Sequence, residues 1–204
     1  MSERQRISDE VISQWKKELS EVRDDEVLRI VSGELNCDLF RAIGPDIERA
    51  LDEKEFEIRI IAGPVFSVEG NDKEGIGENY ALKLAKKGRL KLWISPTRQL
   101  YHFRVYGDRI AYQEKYHEPL AIERSGAYTQ DRMVILKLTH QFEQLIKVLN
   151  LSVLDEATQS VTADKATLLR VKDQCGRNYD FLTGEEFREK NNAFHASTLI
   201  SLAA

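Results

Sequence analysis

Three short runs rich in β-branched and aliphatic residues, EVLRIVSGEL (26–35), FEIRIIAGP (56–64) and RLKLWISP (89–96), alternate with segments of helical periodicity. That alternation is the strongest constraint on the fold. Each run is long enough for a buried strand and too short for a helix. Strands separated by amphipathic helices wind as β-α-β-α-β, which predicts right-handed crossovers and a mostly parallel sheet over this part of the chain. The intervening helices show their own signals. Val11, Ile12, Trp15, Leu19 and Val22 recur at helical spacing behind Ser8, Asp9 and Glu10, a capping residue and two acids suited to the positive end of the helix dipole. Phe40, Ile43, Ile47 and Leu51 form a second stripe, within which Gly44-Pro45 is expected to kink the helix or restart it. A polar glycine-rich loop, residues 67–78, leads into NYALKLAKKG (79–88), whose final Gly88 suits a left-handed C-cap.

Beyond the third run, YHFRVYGDRIAYQEKYHEP (101–119) reads as two strands joined at Gly107-Asp108. A long helix is expected from about Asp131 to Asn150, presenting Met133, Leu136, Phe142, Leu145 and Leu149 to a core. ATLLRVKD (166–173) suits a strand, NYDFLTGEEF (178–187) a turn and short helix, and the last residues are expected to fray. The economical division is one α/β domain over 1–152, with an N-terminal helix in 1–24, and a small C-terminal extension over 153–204.

Composition bounds the function. The 204 residues carry 30 basic and 34 acidic side chains, well mixed, for a net charge of −4, so no global field favours nucleic acid or an anionic membrane. Cys37 and Cys175 are far apart in sequence and belong to no Cys/His cluster, which argues against a zinc site and fits a reducing compartment. No run approaches the length of a membrane span and no signal sequence is read at the start, so a cytoplasmic location is expected. The glycine-rich loop lacks both GxxxxGK[ST] and GxGxxG, and Asp72, Glu74 and Glu78 would repel a phosphate. GxSxG is absent, so no serine-hydrolase site can be assembled.

The remaining chemistry lies on the hairpin. In a strand, residues two apart share a face, so His102, Arg104 and Tyr106 point the same way, while His117 or Glu118 could reach that end from the opposing strand. An imidazole beside a fixed cation suits phosphodiester chemistry, because the ring can attack phosphorus and the cation can stabilise the equatorial oxygens. The plainer alternative is a half-buried histidine on a sheet with surface ion pairs. A metal held by His102, His117, Glu114 and Glu118 is disfavoured, since strand spacing does not by itself bring both imidazoles to one ion. No cofactor is expected.

The order of strands and helices from residue 26 to about 150, with FEIRIIAGP, the glycine-rich loop, RLKLWISP, a histidine entering a hairpin and a helix ending HQFEQLIKVL, resembles the phospholipase D-like superfamily. The resemblance implies a mixed sheet flanked by helices. It also implies an HxK motif whose histidine is the nucleophile, with two such motifs meeting across a two-fold axis. Position by position, His102 matches that histidine and Arg104 stands where the lysine belongs. The position of the motif's aspartate is Arg109, with Asp108 one place early; the glycine-serine loop is replaced by IAYQEKYHEP (110–119). Glu123 falls near the acidic position before the closing helix. By this resemblance the candidate catalytic residues are His102, Arg104, His117 and Glu123, and a homodimer is the expected assembly. Because the motif is degenerate, the favoured function is a non-catalytic binding or regulatory module, in nucleic-acid metabolism or defence, with nucleic acid a candidate partner. The alternative is a metal-independent nuclease or phosphodiesterase with His102 as nucleophile.

Overall fold

The computed structural model describes residues 9–35, 37–66, 80–95, 101–114, 126–161 and 167–183. The first half follows the predicted alternation: α1 (Asp9–Ser20), β1 (Val27–Leu35), α2 (Cys37–Glu53), β2 (Glu57–Phe66), α3 (Tyr80–Lys86) and β3 (Lys91–Ile94). Then come β4 (Phe103–Tyr106), β5 (Ile110–Glu114), β6 (Gly126–Thr129) and α4 (Arg132–Val148). The sheet order is β3-β2-β1-β4-β5-β6. Strands β1, β2 and β3 are parallel, whereas β4, β5 and β6 each run antiparallel to their neighbours. Of the sheet's five strand pairings two are therefore parallel and three antiparallel. The hairpin attaches to β1 rather than extending the parallel edge.

Adjacent residues on the central strands face opposite layers, and both layers are apolar. Ile30, Ile60 and Leu92 join the side covered by α1, α2 and α3, while Val31, Ile61 and Trp93 join the side covered by α4. This explains why the first strands carry adjacent apolar residues at their centres, Ile30 and Val31 on β1 and Ile60 and Ile61 on β2. Ile60 and Ile61 are wholly buried, and each such side chain contributes roughly 1.5–3 kcal/mol through area removed from water. Gly63 has a specific reason to lack a side chain: a Cβ there would stand 2.5 Å from the carbonyl oxygen of Gly33 on the neighbouring strand, beside the register shift at Ser32/Glu34.

Local signals were mostly well placed. Gly88 (φ +68°) ends α3 and Gly107 (φ +55°) turns the hairpin, both in the left-handed region. Asp131 caps α4 by accepting from the Met133 backbone N–H at 2.8 Å. Ser8 and the loop at 67–78 lie outside the described residues.

Two expectations, on α4 and near the C-terminus, need correction, whereas of the kink or restart expected at Gly44-Pro45 there is no restart: helix α2 runs from Cys37 to Glu53 with Pro45 inside it. Gly44 is small there because the Tyr80 ring packs against it, and the Tyr80 hydroxyl donates to Glu48 at 2.6 Å. On α4 the buried stripe is Ile135, Leu138 and Phe142, whereas Met133 and Leu136 are exposed; MVILKL is apolar on two helical faces, so periodicity did not select one. Finally, NYDFLTGEEF begins as a strand: β7 (Leu154–Val161), β8 (Thr167–Asp173) and β9 (Asn178–Thr183) form an antiparallel sheet. Leu154 of β7 joins the apolar cluster under α1 to α3, and Val153 bridges to Trp93 at the β3 edge.

Candidate functional site

Strand β4 is buried along its whole length, with Phe103 and Val105 facing α4 and Tyr106 facing the α1 side. Arg104 shares the Tyr106 face by alternation and must be held there with its charge satisfied. The sheet register supplies the means. Ile30, Arg104, Tyr112 and Tyr128 stand side by side across β1, β4, β5 and β6. The guanidinium carbon lies 4.1 Å from the Tyr112 ring centre and 4.5 Å from that of Trp15 on α1, so the cation is stacked between two aromatic faces. Tyr112 and Tyr128 are 4.9 Å apart between centres. Gly126 carries no side chain because a Cβ there would run into the Tyr112 ring.

The counter-charge comes from Glu18, an acid on the buried face of α1 that is only 6% exposed. Arg104 donates to it twice, Nε to Oε2 and Nη2 to Oε1, both at 2.7 Å, in the fork geometry that suits a carboxylate. The hydroxyls of Tyr106 and Tyr128 also donate to Glu18, and Gln14 Nε2 adds a bond at 3.1 Å. Arg104 Nη2 further donates to the Tyr128 hydroxyl oxygen at 2.7 Å. Burial alone would raise the Glu18 pKa; the hydrogen bonds and charge of Arg104, joined by the two tyrosines, overcome it and hold the carboxyl below its ordinary range. Burial and the adjacent Glu18 carboxylate push Tyr106 and Tyr128 upward, which keeps both phenols protonated as donors.

His102 stands just before β4, and a backbone bond from Glu114 N–H to His102 O at 2.9 Å extends the hairpin ladder to it. Its Nδ1 lies 2.7 Å from Glu114 Oε2, with both side chains about 15% exposed. An ionised carboxylate only accepts, so in that pairing Nδ1 is the donor. His102 also sits at the carboxyl end of the parallel strands, the end where open α/β sheets bind ligands.

Of the four residues singled out from sequence, His102 and Arg104 are thus each held by a different carboxylate. His117 and Glu123 lie outside the described residues, as does Glu118. Among the described residues no group of three or more His, Cys, Asp or Glu side chains could hold a metal ion. No described helix is long and apolar enough to cross a membrane. A shallow cleft of about 300 Å³ opens at the other end of β1, but its Glu26 is paired with Arg109 at 3.3 Å. The sequence reading missed Glu18 and Tyr128. A signal for the first existed: Glu18 falls between Trp15 and Leu19 on an otherwise apolar stripe, where an acid requires a buried partner.

No protein-family model matches the chain, and no curated protein does. Among solved structures it is similar to NucT from Helicobacter pylori, at 16% sequence identity and a TM-score of 0.43, over 68% of this chain and 88% of that one.

Proposed function

We propose that this chain is a divergent, non-catalytic phospholipase D-like domain that serves as a binding or regulatory module, with nucleic-acid metabolism or defence as its setting and a homodimer as its assembly. One observation carries the reading: the Arg104 guanidinium is closed on Glu18. A phosphoryl-transfer site needs cationic donors aimed at the place where negative charge develops. Here Nε and Nη2 of Arg104 are spent on a carboxylate, and Trp15 and Tyr112 cover the faces of the cation. A phosphate arriving at that point would meet Glu18 and be repelled.

A second reading draws on the His102–Glu114 pair. A carboxylate that orients Nδ1 is the usual support for a histidine acting through Nε2, so His102 as nucleophile of a metal-independent phosphodiesterase has a geometric basis. One assay separates the two. With EDTA present, the purified protein is expected to hydrolyse neither bis(p-nitrophenyl) phosphate nor single- or double-stranded DNA, and His102→Ala should match it. Turnover that His102→Ala abolishes would replace the first reading with the second.

A further inference from the structure

We infer that Arg104, Tyr106 and Tyr128 form a carboxylate-binding seat that α1 fills with its own Glu18, so that a small free carboxylate is the ligand this module takes when Glu18 is out of the way. The inference rests on the binding-module reading above and names its ligand class.

Four of the five hydrogen bonds to the carboxylate come from the sheet, and the carboxylate itself does not. Arg104 and Tyr106 come from β4 and Tyr128 from β6, and the stack of Arg104 on Tyr112 and of Tyr112 on Tyr128 is built within β4, β5 and β6. From α1 come the carboxylate, the Trp15 ring on the outer face of the guanidinium and one further donor, Gln14 Nε2. The two oxygens are served unequally but completely: Oε1 accepts from Arg104 Nη2, Tyr128 and Gln14, and Oε2 from Arg104 Nε and Tyr106. This is the donor pattern of a ligand site for a planar anion. A purely structural pin would not need it, because replacing a buried ion pair with apolar residues of similar volume is often neutral or stabilising.

The shape selects the ligand. A fork of two parallel N–H groups with two flanking hydroxyls in one seat matches a carboxylate better than a tetrahedral phosphate, which would present additional oxygens to the rings of Trp15 and Tyr112. Arg104 and Glu18 are 9% and 6% exposed whereas Tyr128 is 41% exposed, so the β6 side is the one from which a small molecule would have to enter.

The test uses the full chain and three salts at equal ionic strength: sodium acetate, sodium phosphate and sodium chloride. Glu18→Ala should gain melting temperature in acetate, logarithmically with concentration, while the wild type and Glu18→Ala/Arg104→Met melt in acetate as they do in chloride. Absence of an acetate-specific gain in Glu18→Ala, or a larger gain in phosphate than in acetate, overturns the seat. If Glu18→Ala does not fold in chloride, refolding in acetate decides: recovery of near-ultraviolet circular dichroism supports the seat and failure to recover overturns it. Phosphodiester hydrolysis by the wild type would overturn the binding-module reading instead and leave acetate rescue unaffected, so the two failures are distinguishable.

Discussion

Glu18→Ala should destabilise the protein by about 3–5 kcal/mol, because it removes the carboxylate paired with Arg104 and leaves a guanidinium buried among aromatic rings. Two phenols lose their acceptor at the same time, which adds to the desolvation cost. Urea denaturation measures the effect directly. The double variant Glu18→Leu/Arg104→Met should recover most of that loss, since neither charge then remains to be desolvated. A Glu18→Ala variant within about 0.5 kcal/mol of wild type, the range of ordinary surface substitutions, would mean that the pair is not buried in solution. The sign of the pH dependence follows from the lowered Glu18 pKa. An unfolded-state glutamate titrates near 4.3, so the contribution is complete above that value and is lost as pH falls through the lower folded-state value.

Phe142→Ala should cost about 3–5 kcal/mol, for a different reason. Phe142 is fully buried and meets Trp93 edge-on, with ring centres 6.1 Å apart and planes at 88°. With Ile135 and Leu138 it holds α4 against Val31, Ile61, Phe103 and Val105. Truncation opens a cavity under α4, and the surrounding strands are too tightly laddered to collapse into it. Thermal or urea unfolding should show the loss, whereas Leu136→Ala on the exposed side of α4 should remain near wild type. Comparable losses at both positions would mean that the helix is rotated relative to the arrangement described.

The parts of the fold legible in the sequence are those where one physical signal dominates. FEIRIIAGP alternates Phe56, Ile58 and Ile60 and then adds Ile61 on the opposite face, under the second helical layer, so β2 declared itself. Gly88 and Gly107 declared their turns through the backbone conformation those positions require. Strand β6, GAYT, is four residues long at a sheet edge with two exposed positions, and such a segment has too little pattern to stand out. The site was half legible for the same reason. His102 and Arg104 share a local motif, but the groups that decide what Arg104 can do come from residues 86 and 24 positions away, brought in by the packing of α1 and the register of β6. Local spacing supplies no information on either. Only the oddity of an acid within the α1 stripe pointed toward it.

Closed on Glu18, Arg104 should not receive a phosphodiester. Nuclear magnetic resonance of the arginine side chains reads this most directly, with the Arg104 Nε–H signal assigned by its loss in Arg104→Lys. That signal should exchange slowly with water and stay in place as dimethyl phosphate is added to the wild type. A progressive, saturable shift of the Arg104 Nε–H signal with dimethyl phosphate would instead show the guanidinium open to a phosphodiester.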